Sequence, residues 1–182
     1  MTDHPQESLG TGLVLQDRLP LRWRSGPQQE SDPVRLQLAN EETLRVILSL
    51  DAHHVEAGDE NPELAHEIER LESKINLLLE LVGQVLARQL QIPEAVDVRL
   101  SAREIAWQSA PPAPASGDGV VELYVCTRYP RPLHLPVRFR PAGQPGWTHA
   151  ELRELGEPVQ ELLEKLVFRH HRRQIAAHRR NA

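Results

Sequence analysis

The sequence predicts an α+β protein: a small antiparallel β-barrel, or a strongly bent antiparallel sheet, with two helices inserted after the first strand and a third helix closing the chain. Three observations predict it. Short apolar/polar alternations separated by Pro/Gly-rich turns recur after residue 93, as half-buried antiparallel strands require. One such alternation stands alone before the helices, at Arg18 to Arg24. Between them, Pro62 to Gln91 carries apolar residues at alternating spacings of four and three, the 3.5-residue repeat of a supercoiled helix.

Taken in order, residues 1–12 read as a disordered polar tail, and residues 13–38 as the first strand region. Leu19, Leu21 and Trp23 share one face there, opposite Arg18, Pro20, Arg22 and Arg24. Pro20 cannot donate to a ladder, so it points to an edge or a strand end. After a polar break at 26–33, a helical insertion is expected over 39–92. Asn40 is the expected N-cap of its first helix, and Leu44, Ile47, Leu48 and Val55 form the apolar stripe. That helix should stop near Ala57, before Gly58. Asn61 then caps the long oligomerisation helix, 62–91, with Pro62 at its first position and Pro93 just past its end.

Residues 93–182 supply the rest of the barrel and the closing helix. Val96, Val98 and Leu100 alternate with Asp97 and Arg99, and Ile105 and Trp107 begin another run. Ala110 to Gly119 is a long loop, and Val120 to Arg128 reads as a strand. Leu133 to Arg140 is a further strand, in which Pro136 marks a bend or an edge. Residues 148–155 fit either a last strand or a helix start. Gly156–Glu157–Pro158 opens the final helix, whose apolar face is Val159, Leu162, Leu163, Leu166 and Val167. Its end is basic, from Arg169 to Arg180, which complements the helix dipole.

The 182 residues are enough for one core plus an assembly element, and the net charge of −5 makes no overall case for nucleic acid. A single cysteine, Cys126, rules out an intramolecular disulfide and fits a reducing compartment. The N-terminal residues lack a signal-peptide pattern, and no apolar run approaches a membrane span. A cytoplasmic protein is expected. Catalytic signatures are missing: there is no Gly-rich phosphate loop and no Cys-x-x-Cys, and the pairs His53–His54 and His170–His171 point different ways on a helix and cannot chelate together. No enzyme activity, cofactor or metal is expected. Cys126 reads as a small buried hydrophobe on a strand.

Several stretches are familiar. Val98 to Trp107 resembles the strand pair of a PilZ domain, where that family carries an Asp/Asn-x-Ser-x-x-Gly motif. Val120 to Val125 resembles the next strand, and Leu162 to Arg173 the closing helix. Leu19 to Trp23 and the inserted heptad helix resemble a tetrameric, atypical PilZ branch from plant-pathogenic and related gamma-proteobacteria. The likeness spans about residues 13–180. It implies a six-stranded antiparallel barrel with a C-terminal helix. Typical members bind cyclic di-GMP through an Arg-x-x-x-Arg motif, which stacks on guanine and forks onto phosphate, together with the Ser-containing motif. Ser101 matches, but Arg99 replaces the Asp/Asn and Glu104 replaces the Gly. Arg18 and Arg22 have the arginine spacing, within the first strand.

The resemblance therefore implies a non-enzymatic interaction protein that no longer binds cyclic di-GMP, acting through a protein partner in cyclic di-GMP-linked regulation of motility, type IV pili or virulence. Two alternatives are a genuine cyclic di-GMP receptor using Arg18, Arg22 and Ser101, and a nucleic-acid binder using the basic C-terminal helix. The seam residues are Leu64, Leu71, Leu78 and Val85 at d, with Ile68, Ile75 and Val82 at a. Ile/Val at a with Leu at d favours two parallel strands, and the charged flanks Glu67, Glu72 and Lys74 suit a narrow seam. In the second half Leu79, Leu81 and Leu86 widen the apolar face, so a parallel tetramer is expected, with a dimer as the fallback.

Overall fold

The computed structural model describes residues 13–26, 32–50, 62–109, 114–141 and 144–180. Six strands form a closed barrel: β1 (Leu15–Ser25), β2 (Ala95–Leu100), β3 (Glu104–Gln108), β4 (Gly117–Leu123), β5 (Leu133–Arg140) and β6 (Trp147–Leu152). All neighbours are antiparallel, in the spatial order β1-β2-β3-β6-β5-β4, with β4 returning to β1. Of the two readings left open, the barrel is the right one. Two helices, α1 (Pro33–Leu50) and α2 (Pro62–Gln89), lie between β1 and β2, and α3 (Glu157–Arg180) follows β6.

The barrel closes because β1 is long enough to serve two partners. Leu15 to Pro20 pair with β2, and Leu21 to Ser25 pair with β4. Pro20 sits at the changeover, a place where a residue without an N–H costs the ladder least. Pro20 is neither at a strand end nor on an edge strand, so the edge or strand end expected from sequence gives way to a change of partner within β1. The inward alternation holds: Leu15, Leu19, Leu21, Val98, Leu100, Ile105, Trp107, Val121, Leu123, Leu135, Val137 and Phe139 are all buried. Trp23 meets Phe139 edge-on with ring centroids 5.7 Å apart, and Trp107 lies on the same ring at 6.4 Å. Residues 148–155 resolve into most of β6, the last strand, and a short connection to α3.

Pro136 does mark an edge. Pairing of β5 with β6 starts only at Val137, so the earlier half of β5 has a bare side. The amide of Asn40 covers it: Nδ2 donates to the His134 carbonyl at 2.7 Å, and the His134 N–H donates to Oδ1 at 2.8 Å. Asn40 is 2% exposed and mid-helix, not the N-cap expected of it. The helix begins earlier because Asp32–Pro33 is a better start. Asp32 Oδ1 accepts from the Val34 N–H at 3.0 Å, and Pro33 occupies a position whose N–H has no helical partner. Leu44, Ile47 and Leu48 pack on the core as expected; the predicted Val55, the stop near Ala57 and the Asn61 cap lie outside the described residues.

The strand expected over Val120 to Arg128 ends at Leu123. Beyond the Tyr124 N–H, which donates to the Pro20 carbonyl at 3.0 Å, the chain turns away from the barrel. Residues 124–132 form a loop that meets α2, and Cys126 lies there, half-buried against the core. Packed against α1 and β1, α3 buries Val159, Leu163, Leu166 and Val167, with Leu162 half-buried beside them. No helix among the described residues is long and apolar enough to cross a membrane.

Candidate functional site

The long helix α2 has two working faces. One turns to its own chain. A Cβ on Gly83 would lie 2.8 Å from the Arg128 carbonyl oxygen, so the helix backbone rests directly on loop 124–132. Arg128 also donates to Asn76 Oδ1 at 3.5 Å, and Leu79, between those contacts on the same face, is half-buried. Two arginines of β1 hold the segment that follows the helix: Arg22 donates to the Gln91 carbonyl at 2.6 Å, and Arg18 to the Ala95 carbonyl at 3.3 Å.

The other face is the heptad seam. Leu64, Ile68, Leu71, Ile75, Leu78, Val82 and Val85 are all exposed, Leu78 by 61%. Leu81 and Leu86 extend the apolar arc in the second half of the helix. Leu77, at position c, extends it further, and the heptad reading from sequence had passed it over. Gly83 was overlooked as well. Its signal was available, since a glycine in a helix interior costs about 1 kcal/mol against alanine and is kept for a packing reason.

The ligand-motif positions are not brought together. Ser101 follows Leu100, the partner of Leu15 at the start of β1, whereas Arg22 pairs with Glu122 of β4. Leu15 and Arg22 are seven positions apart, roughly 23 Å at ~3.3 Å per residue, which keeps Ser101 and Arg22 apart along the strand. Ser101 works inside its own turn: its hydroxyl oxygen accepts from the Arg103 N–H at 3.2 Å and the Glu104 N–H at 3.0 Å, and donates to the Glu104 carbonyl at 3.2 Å. Arg99 lies over the Trp147 ring, 4.3 Å from its centroid. The turn and α3 flank a groove of about 970 Å³, lined among others by Leu13, Glu104, Glu161, Lys165 and Phe168.

Two residues of the basic end of α3, Arg169 and His170, are engaged in holding the fold. Arg169 donates to the Leu48 carbonyl at 2.6 Å, capping the end of α1. His170 Nε2 is 3.0 Å from Asp17 of β1, and Gln174 donates to the Gln16 carbonyl. Among the described residues no cluster of His, Cys, Asp or Glu is placed to hold a metal ion.

Comparison with known proteins agrees with this architecture. Residues 43–180 match the family described as "atypical PilZ domain, cyclic di-GMP receptor". Among solved structures, a pathogenic protein from Xanthomonas campestris, described as a tetrameric PilZ domain self-assembled via an unusual helical bundle, superposes with a TM-score of 0.69. It is 27% identical, over 92% of each chain. The Bacillus subtilis inhibitor of motility (MotI/DgrA) gives a TM-score of 0.36 at 15% identity, over 45% of this chain and 42% of that one. No curated protein matches.

Proposed function

The chain belongs to the atypical PilZ domain family, and we propose that it is a non-enzymatic signalling adaptor that assembles through α2 and works by binding other proteins. The observation that carries this reading is the exposed heptad face: seven seam residues, apolar without exception, turned away from their own chain. About 25 cal/mol favours burial of each Å² of such surface, and a continuous stripe along 28 residues far exceeds what a soluble monomer ordinarily exposes. The wide second half of the stripe supports a parallel tetramer over a dimer, and the Xanthomonas protein is described as assembling through a helical bundle.

In this reading the protein acts in the cytoplasm, in cyclic di-GMP-linked control of motility, type IV pili or virulence, without binding the dinucleotide itself. The engagement of Arg18, Arg22 and Ser101 in main-chain hydrogen bonds supports that, as does Glu104, which sets a carboxylate where a phosphate ligand would need a donor. The family description as a cyclic di-GMP receptor favours the rival reading, a genuine receptor. Light scattering and calorimetric titration of the same sample separate the two. The adaptor reading expects a tetramer mass that the dinucleotide leaves unchanged, and no binding heat. Micromolar or tighter binding, lost in Arg22→Ala, overturns it in favour of the receptor.

A further inference from the structure

We propose that the outer face of α3 is a second self-association surface, pairing antiparallel with the same face of another copy about a two-fold axis at Phe168. It lies on a different element from the heptad seam and does not depend on it.

The inner face of α3 is spent on the barrel, but the outer face keeps large apolar groups in solvent. Phe168 is 48% exposed and Ile175 43%, and Leu13, which lines the same groove as Phe168, is 45% exposed. Glu161, Glu164, Lys165, Arg172 and Ile175 lie seven, four, three, four and seven residues from Phe168, so they share one side of the helix with it. All six are exposed. Among the described residues, Glu161, Glu164, Lys165 and Arg172 take part in no ion pair. Arg172 instead lies over the Phe168 ring, 5.8 Å from its centroid.

The charge order on this face selects the partner. Acids precede Phe168, and a guanidinium in no ion pair among the described residues follows it. In an antiparallel pair centred on Phe168, each residue faces the one equally far on the other side. Glu164, four before, meets Arg172, four after, and symmetry makes this contact twice. Glu161 meets Ile175, which brings the apolar Ile175 to the mouth of the groove that Glu161, Phe168 and Leu13 line. The two Phe168 rings meet on the axis. Lys165 falls opposite His171, which adds no attraction. A parallel pair would set Glu164 against Glu164 and Arg172 against Arg172, and like charges in register disfavour it. The face is thus complementary to its own copy in one orientation only.

A residue on a two-fold axis faces itself, so the test is a single cysteine. In the full chain carrying C126S, F168C should form a disulfide-linked dimer under mild oxidation, while V34C, exposed on α1 away from this face, should not. Adding E164R or R172E should each lower the yield of F168C dimer about tenfold, because each reversal turns two attractions into repulsions. Combining E164R with R172E should restore it. Circular dichroism of each variant checks that the exposed substitutions leave the fold intact. F168C oxidising no faster than V34C overturns the proposal, and so does a double reversal that fails to recover the yield. Broken assembly through α2 would leave these results unchanged, so failure here and failure of the adaptor reading can be told apart.

Discussion

The barrel and α2 are built from the same kinds of residue and use them in opposite ways. Leu and Val on β2, β4 and β5, with Ile105 on β3, vanish into one core, and Leu100, Val121 and Leu135 are almost wholly inaccessible. Leu, Val and Ile on α2 stay in water, more than half exposed at Leu64, Ile75 and Leu78. Composition does not separate the two regions; periodicity does. A period of two on a closed barrel sends every second side chain inward, where the chain itself supplies the partner. A strict 3.5-residue period on a helix sends its stripe along a line that only another such helix can match. In the function proposed above, the barrel is a folding unit and α2 an assembly unit, and the two meet at loop 124–132.

The strongest way to break that comparison is to charge the seam. Ile75→Asp with Leu78→Asp should convert the assembly to monomers, read by light scattering, and lower the helical signal, since a 28-residue helix without a partner is marginal in water. The near-ultraviolet signal of Trp107 and Trp23 should persist. A variant that keeps the wild-type mass would defeat the assignment of α2.

The converse is a cavity in the barrel. Phe139 is 2% exposed and touches both Trp23 and Trp107. Phe139→Ala should cost about 3–5 kcal/mol in urea unfolding of the barrel. The mass of the folded protein should stay unchanged, because no seam residue is involved. Dissociation into monomers while the barrel remains folded would show that the two regions are not separate.

How much of this was legible in the sequence follows the same division. Patterns carried by one segment were readable: the heptads of α2, the alternation of β1 and β5, and the apolar stripe of α3. Features that depend on two distant segments were not. Asn40 looked like an N-cap because its role, standing in for a missing strand beside His134, needs β5 to arrive 94 residues later. Val125 and Thr127 continued a strand pattern, but the turn after Leu123 is where the loop leaves the barrel to meet α2. Pro20 signalled an interruption of pairing, and only closure shows that the interruption is a change of partner. At the candidate ligand positions, the residue types invited a joint role, and the register of β1 against β2 and β4 keeps Ser101 and Arg22 apart.

The joint between the two regions can be loosened by one methyl group. Gly83→Ala raises intrinsic helix propensity by about 1 kcal/mol, which should favour α2 taken alone. The added Cβ meets the Arg128 carbonyl at 2.8 Å, a backbone atom that cannot swing aside. The expected result is an intact assembly and an intact barrel, with faster amide exchange confined to residues 124–132. Unchanged exchange there would mean that Gly83 does not seat the helix.

The smallest effect sharpens the comparison from the barrel side, through pH. His134 of β5 has its main chain clamped by Asn40, and its Nδ1 is buried without a hydrogen bond, 4.0 Å from Glu122 and too far to donate. Burial pushes its pKa below the ordinary 6.5; the Glu122 carboxylate pulls it part of the way back, and Arg24 adds to the lowering. The folded barrel thus holds this imidazole neutral where the unfolded chain would bind a proton. By linkage, the stability tied to His134 is complete above 6.5 and is lost as pH falls from there through the lowered folded value. Urea midpoints from about pH 7.5 to about pH 5.5 should fall more steeply for the wild type than for His134→Gln, which cannot take up the proton. Equal slopes would remove His134 as the source. The Ile75→Asp, Leu78→Asp chain should keep the wild-type slope, because the proton-sensitive group belongs to the folding unit and not to the seam.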